Sequence, residues 1–116
     1  LVIKTDSNGN IVWQKTFNSV GLSSYYDFIE EGEAIEETAD GGYILTGHNS
    51  EAYRIVLIKL TSGGLVEWMK TYEGNGSGNS VKATSDNGFV ITGNKKTNVN
   101  IHNYDLYLFK VDSKGQ

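Results

Sequence analysis

The sequence contains no cysteine and no proline among its 116 residues, and only one methionine. Without cysteine there is no disulfide framework and no thiolate metal site, and the redox compartment stays undecided. The lack of proline beside fourteen glycines points to many tight turns and few stiff linkers. No apolar run approaches the roughly 20 residues of a membrane-spanning helix, so no membrane span is expected. Basic residues are the scarcer sign, 10 Lys and Arg against 14 Asp and Glu, for a net charge of −4. That balance argues against a nucleic-acid partner, whose phosphates are held by clustered Lys and Arg. What remains is ordinary for one small folded domain: 12.8 kDa, 38% hydrophobic and 21% charged.

The chain matches itself. Leu1 to Phe17 (LVIKTDSNGNIVWQKTF) aligns with Val56 to Tyr72 (VLIKLTSGGLVEWMKTY) at an offset of 55, pairing Lys4 with Lys59, Gly9 with Gly64 and Trp13 with Trp68. Glu37 to Gly47 (ETADGGYILTG) aligns with Ala83 to Gly93 (ATSDNGFVITG) at an offset of 46. A third copy of the first block, LFKVDSKGQ, places Lys110 at an offset of 51 from Lys59. Nine additional residues in the first copy, and five after the second Thr-Gly, reconcile the three offsets. Both length changes fall in polar stretches, Ser19 to Gly32 and Asn94 to Asn103, where surface loops tolerate insertion.

Each unit reads as four short strands. The first covers Glu33 to Thr38 and Ser80 to Thr84; the second, Gly42 to Gly47 and Gly88 to Asn94. The third covers Arg54 to Leu60, Asp105 to Val111 and Leu1 to Thr5; the fourth, Ile11 to Phe17 and Val66 to Tyr72. Their β-branched and aromatic content suits a pleated sheet. Between them lie hairpin turns such as Ala39-Asp40-Gly41-Gly42 and Asp6-Ser7-Asn8-Gly9, whose residues accept positive φ. Glu30 to Glu37 comes nearest to helical periodicity, but Gly32 and a weak apolar stripe count against a helix. GNGSGNS, Gly74 to Ser80, reads as a flexible connection; with no helix after it, it is no phosphate cradle.

Four antiparallel strands recurring every 46 to 55 residues fit the blade of a β-propeller. Asp40 to Gly47, Leu57-Ile58-Lys59, Asp6 to Asn10 and Trp13 to Phe17 together resemble the secreted and cell-surface propeller repeats of bacteria and archaea, of the form DGGYIxxG … LxKxDxxGNxxWxKTF. The portion with Asp, Gly and Trp is also similar to the tryptophan repeats of quinoprotein dehydrogenase propellers. The first resemblance implies an all-β fold of four-stranded antiparallel blades and an extracellular or cell-surface location. On this reading, residues 1–17 are the last two strands of a preceding blade, 18–72 a complete blade with a long first loop, and 73–116 three strands of a following blade. About two blades cannot close a ring of 4 to 8, so a piece of a longer propeller is expected, or a subunit completed by neighbouring copies.

The expected function is a non-catalytic binding scaffold, with no cofactor and no assigned metal or catalytic residue. Trp13, Trp68, Tyr43 and Phe89 recur in both units and read as packing residues. Asp6 to Asn10 lacks the sixth-position Gly and twelfth-position carboxylate of a helix–loop–helix calcium loop. His48 and His102 occupy non-equivalent positions without a Cys, His or Glu at ligand spacing. The acidic run from Glu30 to Glu37 reads as a solvated charge run. Insertions that break a repeat often carry recognition surfaces, so a carbohydrate or protein ligand is expected at Tyr25, Tyr26, Asp27, Phe28, His102 and Tyr104. Two alternatives are a self-assembling subunit that builds a ring or filament, and part of a propeller enzyme acting on polysaccharide or of the quinoprotein kind.

Overall fold

The computed structural model describes residues 1–17, 31–49, 53–72, 74–98 and 103–116. All regular structure among them is antiparallel β, in three sheets that follow one another along the chain. The first is a pair, β1 (Val2–Thr5) and β2 (Ile11–Lys15). The second has four strands in chain order, β3 (Glu31–Glu37), β4 (Tyr43–Asn49), β5 (Arg54–Leu60) and β6 (Val66–Tyr72). The third has β7 (Gly76–Ala83), β8 (Phe89–Asn98) and β9 (Asn103–Val111). No helix among the described residues is long and apolar enough to cross a membrane.

Side-chain alternation along β5 explains how the sheets stack. Val56, Ile58 and Leu60 point one way, into a cluster with Leu45 that Val2 and Trp13 of the first pair, and Phe17 just after it, cover. Ile55 and Leu57 point the other way, into a cluster with Ile44, Val81, Phe89, Ile91 and Val111. β5 is thus buried on both faces and reads as a nearly continuous apolar run, RIVLIKL. Each seam is latched by a tryptophan. The Trp13 indole N–H donates to the Ser62 carbonyl at 3.0 Å, and the Trp68 N–H to the Ser113 carbonyl at 3.1 Å. The rings pack on the aromatic residue that opens the next sheet's second strand, Trp13 edge-on to Tyr43 and Trp68 tilted on Phe89.

The outer faces have no such cover. Leu106 and Leu108 stand on β9 where Ile55 and Leu57 stand on β5, 51 residues earlier. The exposures are 83% and 61% against 3% and 0%. At the opposite end of the stack Leu1 and Ile3 are 77% and 48% exposed.

The turns follow their sequences. Asp6 accepts the Asn8 and Asn10 amides on one carboxylate oxygen and the Asn10 side-chain amide on the other. Asp112 likewise accepts the Lys114 and Gln116 amides. Gly9, Gly41, Gly64 and Gly115 take positive φ in four of these turns.

Two expectations are corrected. The stretch Gly74 to Ser80 is not simply a connection, because Gly76 to Ser80 lies inside β7. A Cβ on Gly76 would strike the Asn94 carbonyl, and one on Gly78 the Thr46 hydroxyl. These glycines therefore serve close approach of backbone and of neighbouring sheets, not flexibility. The polar stretch Asn94 to Asn103 is mostly strand as well: β8 runs through to Asn98 and β9 begins at Asn103, lengthening the hairpin.

Candidate functional site

The sheets have two ends. One carries the short hairpin turns at 38–42, 61–65, 84–88 and 112–116. The other is where the chain leaves β2, β4, β6 and β8; in chain order the two insertions fall between β2 and β3 and between β8 and β9, so we call it the insertion end.

At the turn end a buried lysine organises the four-stranded sheet. Lys59 Nζ lies 2.8 Å from both Asp40 and Glu67 and donates to the Leu60 carbonyl. Burial alone would lower its pKa, but the hydrogen bonds to the two carboxylates raise it above the ordinary lysine value. Asp40 is held well below the usual carboxylate range by the Lys59 ammonium, the Thr38 hydroxyl and the Gly42 amide. The same set recurs with Lys110, Asp86, Thr84 and Gly88. A cavity of about 470 Å³ opens here between the second and third sheets. Its lysine and carboxylates are committed to each other, which marks the turn end as structural. A carboxylate with a depressed folded pKa adds stability above its unfolded value and loses it as pH falls toward the folded one. The stability of the chain is therefore expected to decline below about pH 4. Asp40→Asn should make that decline shallower in urea melts compared at pH 5 and pH 3. An equally steep decline in the variant would remove Asp40 from the account.

The insertion end gathers groups with free valence. Pairing of β3 with β4 sets Glu31 directly across from His48. A bulge between Gly32 and Ala34 leaves Glu33 as the extra residue and turns its side chain to the same place. His48 Nε2 lies 4.0 Å from Glu31, and Nδ1 lies 3.9 Å from Glu33 and 3.2 Å from the Ser77 hydroxyl. The His48 side chain is only 12% exposed, and its ring stacks on Tyr53 at 6.2 Å. Tyr53 itself sits in the left-handed region at φ 48, a strained place for a bulky residue. Its carbonyl accepts the Gly76 amide at 2.7 Å, which ties it to the start of β7.

The third sheet contributes the corresponding positions. Ser77 lies across from Asn94, and a bulge between Gly78 and Ser80 leaves Asn79 as the extra residue. The Asn94 side-chain amide donates to Asn79 at 3.3 Å. Ser77, Asn79 and Asn94 stand 46 residues after Glu31, Glu33 and His48. Five of these six residues, all but Glu31, line one cavity of about 240 Å³, whose rim includes Tyr53 and Tyr104. A neighbouring cavity of about 320 Å³ is bounded by Tyr53, Asn75, Lys96 and Tyr104. Two half-exposed tyrosines beside amides, a hydroxyl and carboxylates form a surface able to stack a ring and hydrogen-bond its edges.

Of the six residues expected to bind ligand, Tyr104 lies on this cleft, 49% exposed. Tyr25, Tyr26, Asp27, Phe28 and His102 lie outside the described residues. Chain spacing gave no hint of Glu31 and Glu33 as neighbours of His48, because strand pairing makes that proximity. The signal that was present is the 46-residue comparison. It places Glu opposite Ser, Glu opposite Asn and His opposite Asn, three departures that converge in space. Comparison with family models, with curated proteins and with solved structures found no match to this chain.

Proposed function

We propose that this chain is a run of blades from an extracellular or cell-surface β-propeller, a non-catalytic scaffold that carries a ligand cleft at the insertion end. The observation that carries the architecture is the contrast at matched positions. Ile55 and Leu57 are covered by the next sheet, while Leu106 and Leu108, in the same place one unit later, face solvent. A repeat unit cannot bury its own apolar face and relies on a neighbour to do so. The location rests on the resemblance of the Asp40 to Gly47 and Trp13 to Phe17 motifs. The cleft supports the binding role: aromatic faces and amides from two sheets converge on it.

The open faces also favour a second reading, in which neighbouring copies supply the missing cover and the chain builds a ring or filament. Light scattering tests the covering of these faces. The 116-residue chain is expected to associate as concentration rises, and a Leu106→Glu, Leu108→Glu variant to remain monomeric with the same β circular dichroism. A monomeric parent chain with native-like dichroism would overturn the requirement for neighbours. For the cleft, a glycan array is probed with the parent chain, with Tyr104→Ala and with residues 25–28 deleted. Binding that neither change reduces would remove the insertion end as the recognition surface.

An enzyme that cleaves glycosides needs two carboxyls facing one sugar. Glu31 and Glu33 both come from β3, and Asn79 stands at the place matching Glu33. We rank the enzymatic reading behind the other two.

A further inference from the structure

From the insertion-end geometry we infer a divalent transition-metal site, with His48 Nε2 and the carboxylates of Glu31 and Glu33 as its ligands and Ser77 positioning the imidazole. One ligand atom from each of the three residues lies within 4.8 Å of the others; Glu31 already faces Nε2 at 4.0 Å, while Glu33, 3.9 Å from Nδ1, would swing to the Nε2 side. Zinc bonds of about 2.0–2.2 Å would bring them to roughly 3.3 Å apart. The carboxylates supply that contraction: Glu31 and Glu33 side chains are 65% and 36% exposed, while His48 is held at 12%. A fixed imidazole and two movable carboxylates can close around an ion without disturbing the sheet.

The imidazole is fixed in the manner metal ligands require. Nδ1 faces the Ser77 hydroxyl at 3.2 Å; a proton on Nδ1 donated to that oxygen leaves the Nε2 lone pair directed toward Glu31. Such an outer hydrogen bond sets the tautomer and ring orientation of a ligating histidine. One imidazole with two carboxylates suits zinc and its transition-metal neighbours better than calcium or magnesium, which take all-oxygen sets. Three protein ligands leave a coordination position open, and two of the three, His48 and Glu33, line the cleft that Tyr53 and Tyr104 rim.

The second observation is independent of these distances. The next unit presents the same three backbone positions, with the same pairing and the same bulge, occupied by Ser77, Asn79 and Asn94. β3 also gains carboxylates at Glu36 and Glu37, where the next unit has Lys82 and Ala83, but those two lie outside the group gathered at His48. Here the changes in the first trio are the two that add carboxylates and the one that adds an imidazole, and all three meet at a single point. Their net effect is to convert a neutral polar trio into a ligand set.

The next unit also provides the substitutions for the test. Chelator-treated chain is titrated with Zn²⁺ by calorimetry, and with Co²⁺ by its visible absorption, beside His48→Asn, Glu33→Asn and Ser77→Ala. The parent is expected to bind one equivalent of Zn²⁺ and to give a cobalt spectrum with nitrogen and oxygen ligation. The two ligand variants should bind at least about tenfold more weakly, and Ser77→Ala should retain the spectrum with affinity lowered about tenfold. If His48→Asn alters the circular dichroism, Glu33→Asn, on an exposed bulge, decides. No saturable one-to-one binding by the parent, or equal binding by the ligand variants, overturns the site. The result is separable from the scaffold reading, since neither light scattering nor the glycan array needs the metal.

Discussion

Leu57→Ala is expected to destabilise the chain by about 3 kcal/mol, the cost of a large-to-small change in a closed core. Leu108→Ala, at the matching position 51 residues on, should cost under about 0.5 kcal/mol, as a surface change does. The chemistry of the two substitutions is identical, so the difference isolates what covers the face. Leu57 has no exposed surface and packs with Ile44, Ile55 and Phe89, while Leu108 is 61% exposed. Urea denaturation of dilute chain measures both. Equal losses would mean that the β9 face is already covered in the monomer, and the stacking argument would fall with it.

Gly78→Ala should cost about 1–3 kcal/mol, and Gly32→Ala close to nothing. Both glycines precede the bulged residue of their strands, 46 residues apart. A Cβ on Gly78 would run into the Thr46 hydroxyl and come within 3.0 Å of Ile55, both on the preceding sheet. Thr46 is fully buried and hydrogen-bonded to the Val56 carbonyl, so it has no room to yield. A Cβ on Gly32 meets nothing within 4 Å, and the lost backbone freedom of the unfolded chain even favours alanine there. Thermal melts of the two variants read this contrast directly. A harmless Gly78→Ala would show that the sheets do not pack at the approach described.

Much of the fold was legible because its signals are local. Arg54 to Leu60 and Val66 to Tyr72 form strands with the bounds read from sequence, since apolar β-branched runs between glycine turns leave little ambiguity. The Asp40 and Asp86 turns likewise form through contacts two residues away. Strand ends were harder. β3 and β7 begin earlier than expected because Gly32, Gly76 and Gly78 look like breakers by propensity, yet are required by close packing. The cleft was the least legible part. His48 meets Glu31 through cross-strand register and Ser77 through sheet stacking, and no window along the chain contains all three. Only the comparison of one unit with the next brought their difference into view.

The indole latches have a consequence for spectroscopy and for unfolding. The two tryptophans of the chain each span one seam, Trp13 between the first and second sheets and Trp68 between the second and third. Emission from a chain retaining either one alone would follow the parting of a single boundary. The protein thereby carries a separate optical gauge for each of its two joints, and loss of order advancing inward from one edge would register on one gauge before the other.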